Sequence, residues 1–265
     1  MNKDFDTTTD RNTTGIKNSD FPSTGNGYQS LSTPDGSCRL QEMSVFFDNR
    51  APVYDEKHVE MLDGGLESKR FMASLLPEHT RTLLDLGIGT GLELAAIFER
   101  FPDIEVTGLD ISVNMLNHLK EKYPDRKIRL HCANYLNHDL GTGQYDAALS
   151  VMSLHHYDHR TKLALYRKIH NSLRSDGLYA ECDYMLSEHT YENPEETEQA
   201  FRAELARLKS EQNISDEQEY HYDTPCSVAN QKRLLLEAGF SCVREVWRQG
   251  NTVILVAETG QARNP

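Results

Sequence analysis

The segment LDLGIGTGLEL at residues 83–93 limits the possible folds of this 265-residue chain more than any other stretch. A hydrophobic run is followed by Gly87, Gly89 and Gly91, which are three glycines within five residues. Glycines at this density occur where a strand turns into a helix and the backbone amides approach a nucleotide. The segment therefore predicts the first strand-turn-helix unit of an α/β nucleotide-binding domain.

The spacing of these glycines distinguishes between nucleotides. A dinucleotide fingerprint has its third glycine one position later, where this chain has Leu92, so the pattern disfavours NAD and a nucleotide-dependent oxidoreductase. Asp110 ends the second predicted strand nineteen residues after Gly91, and a carboxylate there can accept hydrogen bonds from both ribose hydroxyls. Asp110 could instead cap the next helix, but Ser112 suits that role well. We therefore assign Asp110 to the ribose.

Strands and helices alternate along the rest of the chain, which predicts right-handed βαβ units on a parallel sheet. A final helix at 227–238 leads into two strands joined through Gly250 and Asn251, and so short a link predicts an antiparallel hairpin. The earlier predicted strands are 81–86, 104–109, 127–131, 145–151 and 177–183, and the helices between them are 92–100, 112–123 and 160–174.

Two segments differ from this pattern. Of the first 40 residues, 27 are Asn, Thr, Ser, Gly, Asp or Pro, which predicts a disordered tail at 1–40 before a domain at 41–260. Residues 187–220 contain ten acidic and three basic residues, with Phe201 and Leu208 on one apolar stripe. This stretch is either a solvated surface helix or part of a helical cap inserted at about 186–225 over the carboxyl edge of the sheet.

The charge and the cysteines indicate the partners and the compartment. A formal net charge of −13 argues against direct DNA binding and against anionic membranes, and it suits neutral or cationic small molecules better. The sequence has no apolar stretch approaching about 18 residues, so we expect no membrane span. Five widely spaced cysteines without a CxxC pair are typical of reduced thiols, so we expect a cytoplasmic protein.

Four motifs in register resemble those of the class I S-adenosylmethionine-dependent methyltransferases. They are LDLGIGTGLEL, VTGLDISVNMLNHLKEKYP, YDAALSVMSLHHY and LRSDGLYAECD, and the resemblance covers roughly residues 41–259. It implies a Rossmann-like class I fold with a seven-stranded, mostly parallel sheet, a C-terminal antiparallel hairpin and a small helical cap. It also implies S-adenosylmethionine as the cofactor.

The resemblance assigns a role to individual positions. The glycines would admit the methionine and ribose portions, Ile111 and Met115 would flank the adenine, and Asn134 stands where the family often has an Asp that accepts from the adenine amino group. Residues 150–154 would run beneath the sulfonium, and an N-terminal helix would fold over the cofactor. The predicted cofactor contacts are Asp85, Gly87, Gly89, Gly91, Asp110, Ile111, Met115, Asn134, Ser150, Arg50 and Tyr54.

Histidines follow the fourth predicted strand, at the sheet edge where open α/β sheets bind ligands. His155 is the predicted general base, and the alternative is that it only positions the loop through a backbone hydrogen bond. His155, His156 and His159 fit no metal-binding spacing, so no metal is expected. Other polar residues could line the acceptor pocket or simply form a strand end and a docking loop: Asp183, Tyr184, His221 and Tyr222.

The predicted function is transfer of a methyl group from S-adenosylmethionine to a small-molecule O, N, S or C nucleophile by in-line displacement. One alternative is suggested by FDNR, NQKRLLLEAGF and the final hairpin, which resemble the carboxymethyl-donor synthases of bacterial tRNA wobble-uridine modification. Those enzymes use a basic residue in the cap to hold a carboxylate, whereas residues 215–224 contain neither Lys nor Arg. The other alternative is a non-catalytic cofactor-binding scaffold.

Overall fold

The structure is a computed structural model that describes residues 39–61, 63–215 and 218–260. Residues 1–38 of the predicted tail lie outside the described residues. Leu40, which the sequence places in that tail, is buried, and its amide donates a hydrogen bond of 3.1 Å to Oε1 of Gln212. Across the described ranges, the helices are either too short or too polar to cross a membrane.

Ten strands and eight α-helices make up the described chain, with a 3₁₀ turn at Ala51–Val53 after the first helix. In chain order they are β1 (Gln41–Glu42), α1 (Met43–Arg50), α2 (Tyr54–Met61), α3 (Gly65–Leu75), β2 (Thr82–Leu86), α4 (Leu94–Arg100), β3 (Glu105–Asp110), α5 (Val113–Lys122), β4 (Ile128–Cys132), β5 (Tyr145–Val151), α6 (His159–Ser172), β6 (Leu173–Leu186), α7 (Pro194–Glu211), β7 (Tyr220–His221), β8 (Cys226–Ser227), α8 (Val228–Glu237), β9 (Cys242–Gln249) and β10 (Thr252–Glu258).

The main sheet has the strand order β4-β3-β2-β5-β6-β10-β9, with the short β8 beside β6. Strands β2 to β6 are parallel, whereas β10 is antiparallel to both β6 and β9. The predicted Rossmann-like class I fold is confirmed, with seven strands along this path and the antiparallel hairpin at its end. β6 is longer than predicted because it begins at Leu173, directly after α6.

Both faces of the sheet are covered by helices, as the apolar sequence of β2 requires. Leu83 packs in a core cluster with α3, α4 and α5, whereas its neighbour Leu84 packs in a second cluster with α6 and α8. Successive side chains of a strand point to opposite faces, so an almost continuously apolar strand must be buried on both sides. The carboxyl edge of the parallel strands is thus the open side at which a ligand can bind.

α7 lies within the predicted cap segment and has two different faces. Leu208 is buried and Phe201 packs against the core, while most of the acidic side chains face solvent. The helix contacts β8 and the end of β6, and β8 pairs in parallel with Met185–Leu186. α7 is therefore a packing element with a charged outer surface, and its role as a cap over the carboxyl edge stays a prediction.

A two-stranded ladder, absent from the sequence-based prediction, connects the N-terminal segment to the loop before β8. Gln41 of β1 pairs with His221 of β7 in antiparallel register, and Glu42 pairs with Tyr220. The amide of Met43 then donates to the carbonyl of Glu219 at 3.0 Å. This pairing fixes the start of α1 against β7, at the open edge of the main sheet.

Candidate functional site

The glycine turn after β2 lies against the end of β3. Gly87, Gly89 and Gly91 have positive φ angles of 73°, 51° and 66°, a conformation that other residues adopt only under strain. The amide of Gly87 donates to the carbonyl of Leu109 at 2.8 Å, and the amide of Gly89 donates to Oδ2 of Asp110 at 2.9 Å. The turn and the end of β3 therefore form one hydrogen-bonded unit.

The three glycines differ in what surrounds them. A Cβ on Gly87 would lie 2.1 Å from Oγ of Ser153, and one on Gly91 would lie 2.9 Å from Cδ1 of Leu94. A Cβ on Gly89 would meet nothing closer than 3.9 Å. Gly87 and Gly91 thus permit close packing, whereas Gly89 leaves open space at the turn for a ligand.

Asp110 is the acidic group at the centre of this unit. Burial raises the pKa of Asp110 to about 6, although hydrogen bonds from the amides of Ser112, Gly89 and Ile111 favour its charged form. The bond from Ser112 to Oδ1 measures 2.8 Å. Since a carboxylate offers about four acceptor sites, at least one of them is left to accept a further hydroxyl group.

α1 is attached to the start of α5 through Asp48. Oγ of Ser112 caps α5, as the sequence predicts, by accepting a hydrogen bond of 3.1 Å from the amide of Met115. The same hydroxyl donates to Oδ1 of Asp48 at 2.6 Å, and that oxygen also accepts from the amide of Asn114 at 3.2 Å. The N-terminal helix is therefore held over the open edge by a carboxylate at a helix N-terminus, a favourable position for negative charge.

Removing this attachment should weaken ligand binding more than it weakens the fold. Asp48→Ala deletes hydrogen bonds that contribute about 1–2 kcal/mol, so we expect S-adenosylmethionine to bind roughly 5- to 30-fold more weakly by calorimetry. The exposed Glu56→Ala is the matched control on α2 and should leave the dissociation constant unchanged. Equal dissociation constants for Asp48→Ala and wild type would show that α1 does not need this attachment to cover the site.

A cavity of about 510 Å³, open to solvent, lies between this turn, α1 and the loop after β5. Its walls are largely apolar and aromatic, with a few polar groups. The residues that line it are Met43, Phe47, Tyr54, Gly87, Gly89, Asp110, Ile111, Met115, Tyr135, Val151, Met152, Ser153, His156 and Tyr157.

Several predicted cofactor contacts line this cavity: Tyr54, Gly87, Gly89, Asp110, Ile111 and Met115. Ser150 does not, because its hydroxyl is buried at 2.6 Å from the hydroxyl of Tyr179, on the other side of β5. The next residues, Val151 and Met152, do line the cavity, and Met152 has a positive φ of 49°. Within the predicted run 150–154, the middle residues therefore line the cavity, and the strained residue Met152 turns the chain there.

Asn134 and Arg50 have other partners beside the cavity. Nδ2 of Asn134 donates to Oε1 of Glu219 at 2.7 Å, and its Oδ1 accepts from the amide of Leu136 at 2.8 Å. The guanidinium of Arg50 stacks 3.6 Å from the ring centre of Phe46. These two side chains connect loops and α1 around the cavity without forming its walls.

Asp85 lies beneath the glycine turn and does not line the cavity. Burial, and then the neighbouring Glu93 carboxylate, raises the pKa of Asp85 well above its usual range. Lys69, also buried, is the positive charge that acts most strongly on Glu93, and Lys122 adds to it. Asp85 therefore belongs to a buried charge cluster under the turn.

The part of the cavity wall that follows β5 contains His156, and its neighbour His155 is buried behind it. Nδ1 of His155 lies 2.5 Å from Oδ1 of Asp183, and its Nε2 lies 3.4 Å from Oδ1 of Asp223. Burial opposes protonation of His155, but the two carboxylates outweigh it and raise the pKa of His155 to about 10. Asp183 also accepts from the amide of Tyr184 at 2.9 Å, so these two predicted pocket residues stand behind the wall.

His221 of β7 and Tyr222, the next residue, contact His156 from outside the cavity. The ring of His221 stacks on Phe46 at a centroid distance of 3.4 Å, and burial, then His156, lowers the pKa of His221 to about 2. The carbonyl oxygen of Tyr222 lies 3.4 Å from Nδ1 of His156. The two predicted pocket residues therefore support His156, and neither of them lines the cavity.

Some lining residues were not predicted. Met43 and Phe47 come from α1, in a region where sequence analysis singled out Arg50 and Tyr54. Tyr135 and Tyr157 follow β4 and β5, and their rings meet edge to face at 6.0 Å. Their positions directly after predicted strands, at the carboxyl edge, are the signal by which they could have been found.

Comparison with known proteins agrees with this architecture. A family model described as a methyltransferase domain matches residues 83–177. The carboxy-S-adenosyl-L-methionine synthase of Helicobacter pylori (strain G27) is 26% identical over 227 residues, which cover 83% of this chain and 93% of the relative.

Solved structures show the same fold at low sequence identity. An O-methyltransferase family protein from Burkholderia thailandensis has a TM-score of 0.61 at 15% identity over 85% of this chain. The structure described as PigF with SAH has a TM-score of 0.61 at 20% identity over 87% of this chain. The chain spans just under two thirds of the length of these two proteins, 65% and 66%.

The fold, the glycine turn and these matches define an S-adenosylmethionine-dependent enzyme with a doubly wound α/β sheet. Residues 83–177 match a methyltransferase domain, the sheet has the class I fold, and S-adenosylmethionine is the cofactor. The residues present fit this cofactor: a Cβ on Gly89 would enter the space that the turn leaves open, and Asp110 has an acceptor site to spare. Ile111 and Met115 supply an apolar surface beside it.

Proposed function

We infer that this chain transfers the methyl group of S-adenosylmethionine to a small-molecule nucleophile, at an O, N, S or C atom. The observation that carries the proposal is one continuous cavity whose walls include Gly89 and Asp110 together with Phe47, His156 and Tyr157. When bound, S-adenosylmethionine supplies a methyl group that its sulfonium has already activated for in-line displacement. The residues of this chain have to align the acceptor and exclude water, an effect that can supply about 7–11 kcal/mol.

The cover of the cavity supports a small acceptor. The same cavity has to hold both the cofactor and the group that is methylated. α1 crosses the open edge and places Met43 and Phe47 in the cavity wall, and β1 joins that helix to β7. A folded macromolecule would have to displace this cover, whereas a small molecule fits beneath it.

The charges around the cavity support a neutral or cationic acceptor. Among the described residues that line it, Asp110 is the acidic side chain and none is Lys or Arg. The whole chain carries a formal net charge of −13, which adds to a negative field. An anionic acceptor would enter this field without a positive partner in the wall.

Within the wall, we assign acceptor contact to His156 and a positioning role to His155. His156 lines the cavity, whereas both ring nitrogens of His155 face carboxylates, those of Asp183 and Asp223. The sequence-based choice of His155 as general base stays a prediction. A His155→Gln variant that keeps normal kcat would exclude it, and a His156→Gln variant with raised KM would support the contact.

Methyl transfer can be tested with S-adenosylmethionine labelled in its methyl group. We expect labelled product and S-adenosylhomocysteine with neutral or cationic members of an acceptor panel, and none with an Asp110→Asn protein at the same cofactor concentration. Transfer to anionic acceptors alone would contradict the argument from charge. Tight cofactor binding with no S-adenosylhomocysteine across the panel would favour a cofactor-binding scaffold.

Formation of a carboxylated S-adenosylmethionine is the second candidate function. It is supported by the similarity to the Helicobacter pylori synthase, which extends over 93% of that protein. It is opposed by residues 215–224, which offer no Lys or Arg to hold an added carboxylate. Mass spectrometry of the nucleoside that remains bound to the purified protein decides between them, because a carboxylated nucleoside is heavier by one carboxyl group.

A further inference from the structure

Three histidine rings converge on one carboxylate oxygen beside the cavity. Oδ1 of Asp223 lies 3.4 Å from Nε2 of His155, 3.3 Å from Nδ1 of His156 and 3.8 Å from Nε2 of His221. A charge-assisted hydrogen bond between such groups is usually about 2.7–2.9 Å long. Within the described chain this buried oxygen has no hydrogen-bond partner, so the histidines surround it at ion-pair distances without hydrogen bonds.

The spacing of these atoms suits a metal ion better than a set of hydrogen bonds. Nitrogen and oxygen ligands about 2.0–2.1 Å from a tetrahedral metal ion lie roughly 3.3–3.4 Å from one another. The two distances from Asp223 to His155 and His156 have these values, and the three ligand atoms all lie within 4.8 Å of each other. Two imidazoles and one carboxylate form a donor set that binds divalent transition metals with open positions left for other ligands.

The surroundings hold the first of these ligands in place. Nδ1 of His155 is bonded to Asp183, so its Nε2 is directed towards Asp223. Asp183 is fixed in turn by the amides of Leu154 at 3.0 Å and Tyr184 at 2.9 Å. A carboxylate that accepts from the second nitrogen of a metal-bound histidine is the usual support of such ligands.

The segment that carries Asp223 is also hydrogen-bonded to the segment that carries His155 and His156. The amide of Thr224 donates to the carbonyl of His155 at 2.8 Å, and its hydroxyl donates to the same oxygen at 3.2 Å. Asp223 is therefore held beside His155 by its own chain neighbour. This arrangement brings the donor atoms together before any ligand arrives.

Charge balance gives a further reason. Asp183 is 1% exposed, and it lies with Asp223 on the two ring nitrogens of His155. Two carboxylates therefore share a site with imidazoles, which are uncharged unless they are protonated. A dication would compensate both carboxylates at once. The alternative without a metal is a chain in which a protonated His155 lies between Asp183 and Asp223, and the experiment below separates the two.

A second group of possible ligands, His159, Glu198 and Cys226, carries no such inference. Nε2 of His159 is already hydrogen-bonded to Glu198, and the other oxygen of Glu198 accepts from the amide of Ser227 at 2.9 Å. These groups therefore satisfy one another, and none of them lines the cavity.

We propose that Nε2 of His155, Nδ1 of His156 and Oδ1 of Asp223 bind a divalent transition-metal ion at the acceptor wall of the cavity, with His221 beside them. Because His156 also lines the cavity, the ion, with its charge balanced by Asp183 and Asp223, would hold a neutral acceptor through an oxygen atom. This role towards the acceptor rests on the proposed methyl transfer, whereas the binding of the ion does not. The close histidines of the sequence fit no metal motif because the third ligand comes from β7 and its loop.

A titration with Co²⁺ tests the site directly. It uses the full chain, from which a chelator has first removed any bound metal. We expect one equivalent of Co²⁺ to bind with visible absorption bands typical of nitrogen and oxygen ligands, and Zn²⁺ to displace it. Asp223→Asn and His156→Gln should weaken binding roughly 100-fold or more, and Asp183→Asn should weaken it about 10- to 100-fold. Zn²⁺ should raise the Tm of wild type but not that of Asp223→Asn.

Two controls guard against adventitious binding. His138→Gln alters the paired rings of His131 and His138, which lie 4.7 Å apart away from the cavity, and Cys226→Ser alters the second group. Both variants should bind Co²⁺ like wild type. The proposal is overturned if wild type binds neither Co²⁺ nor Zn²⁺, if Asp223→Asn binds as tightly, or if Cys226→Ser removes the bands.

Measuring S-adenosylmethionine binding on the same samples separates this proposal from the proposed function. Folded Asp223→Asn protein should still bind the cofactor, because Asp223 does not line the cavity. Cobalt absorption bands in a protein that transfers no methyl group would support the metal site and contradict the proposed methyl transfer. Methyl transfer that continues at full rate in metal-free protein would contradict the role of the ion towards the acceptor.

Discussion

Replacing Asp110 by Asn should raise the dissociation constant for S-adenosylmethionine roughly 100-fold. The carboxylate can accept charge-assisted hydrogen bonds worth about 1.5–3 kcal/mol each, and the neutral amide keeps one acceptor oxygen while turning a donor towards the amides of the turn. A loss of about 3 kcal/mol corresponds to that change in affinity. Isothermal titration of both proteins at pH 8 measures it.

The matched control is Asp139→Asn, because Asp139 accepts the same kind of backbone hydrogen bond as Asp110 but does not line the cavity. Oδ1 of Asp139 accepts a hydrogen bond from the amide two residues later, Gly141, at 2.9 Å, as Asp110 accepts from Ser112. This control should bind the cofactor like wild type. Equal affinity of Asp110→Asn and wild type would remove Asp110 from the cofactor site.

The pH dependence of binding gives the same residue a second readout. Burial raises the pKa of Asp110 to about 6 in the free protein, so the charged form that accepts hydroxyl groups is lost as the pH falls through that value. Wild-type affinity should therefore decrease below pH 6, approaching a tenfold loss per pH unit. Asp110→Asn should lack this dependence, since it has no proton to gain.

Gly87→Ala should destabilise the fold by about 2–4 kcal/mol and abolish cofactor binding. Part of this loss, about 1 kcal/mol, is the cost of a positive φ for a residue with a Cβ. The rest comes from overpacking, because the new atom would lie 2.1 Å from Oγ of Ser153. Urea unfolding, followed by circular dichroism, measures the free energy of unfolding.

Gly143→Ala isolates the conformational part of that effect. Gly143 has a φ of 60° and a Cβ there would meet nothing within 4 Å, so only about 1 kcal/mol should be lost. The double variant Gly87→Ala/Ser153→Gly should recover the steric part. The packing argument fails if Gly87→Ala and Gly143→Ala lose the same free energy.

The part of the site around the glycine turn was predictable because the sequence features that indicate it lie close together in the chain. An apolar strand, three close glycines and the cap of α5 lie within one βα unit and its neighbour, and they place Gly87, Gly89, Asp110 and Met115 on the cavity. Ser150 shows the limit of such reasoning. Alternation along a strand says that Ser150 and Val151 face opposite sides, but only the packing of β6 shows that Val151 faces the cavity.

The rest of the site depends on contacts between distant parts of the chain. β1 and β7 have two residues each, too few to show any periodicity, and their pairing brings His221 to His156. Asp223 lies beside His155 because Thr224 donates hydrogen bonds to the carbonyl of His155. A contact between positions so far apart in the chain leaves no spacing pattern in the sequence. The sequence showed aromatic and acidic residues in this loop, and only the fold shows which of them meet the histidines.

The ladder between β1 and β7 has a consequence for the timing of ligand exchange. α1, which covers the cofactor side, is continuous with β1, while β7 leads into the loop with Asp223 on the acceptor side. Any outward swing of α1 must therefore pull β7 with it or break the ladder. A movement of α1 that uncovers the cofactor side would therefore also displace the loop with Asp223, so exchange of the cofactor and exchange of the acceptor would be coupled.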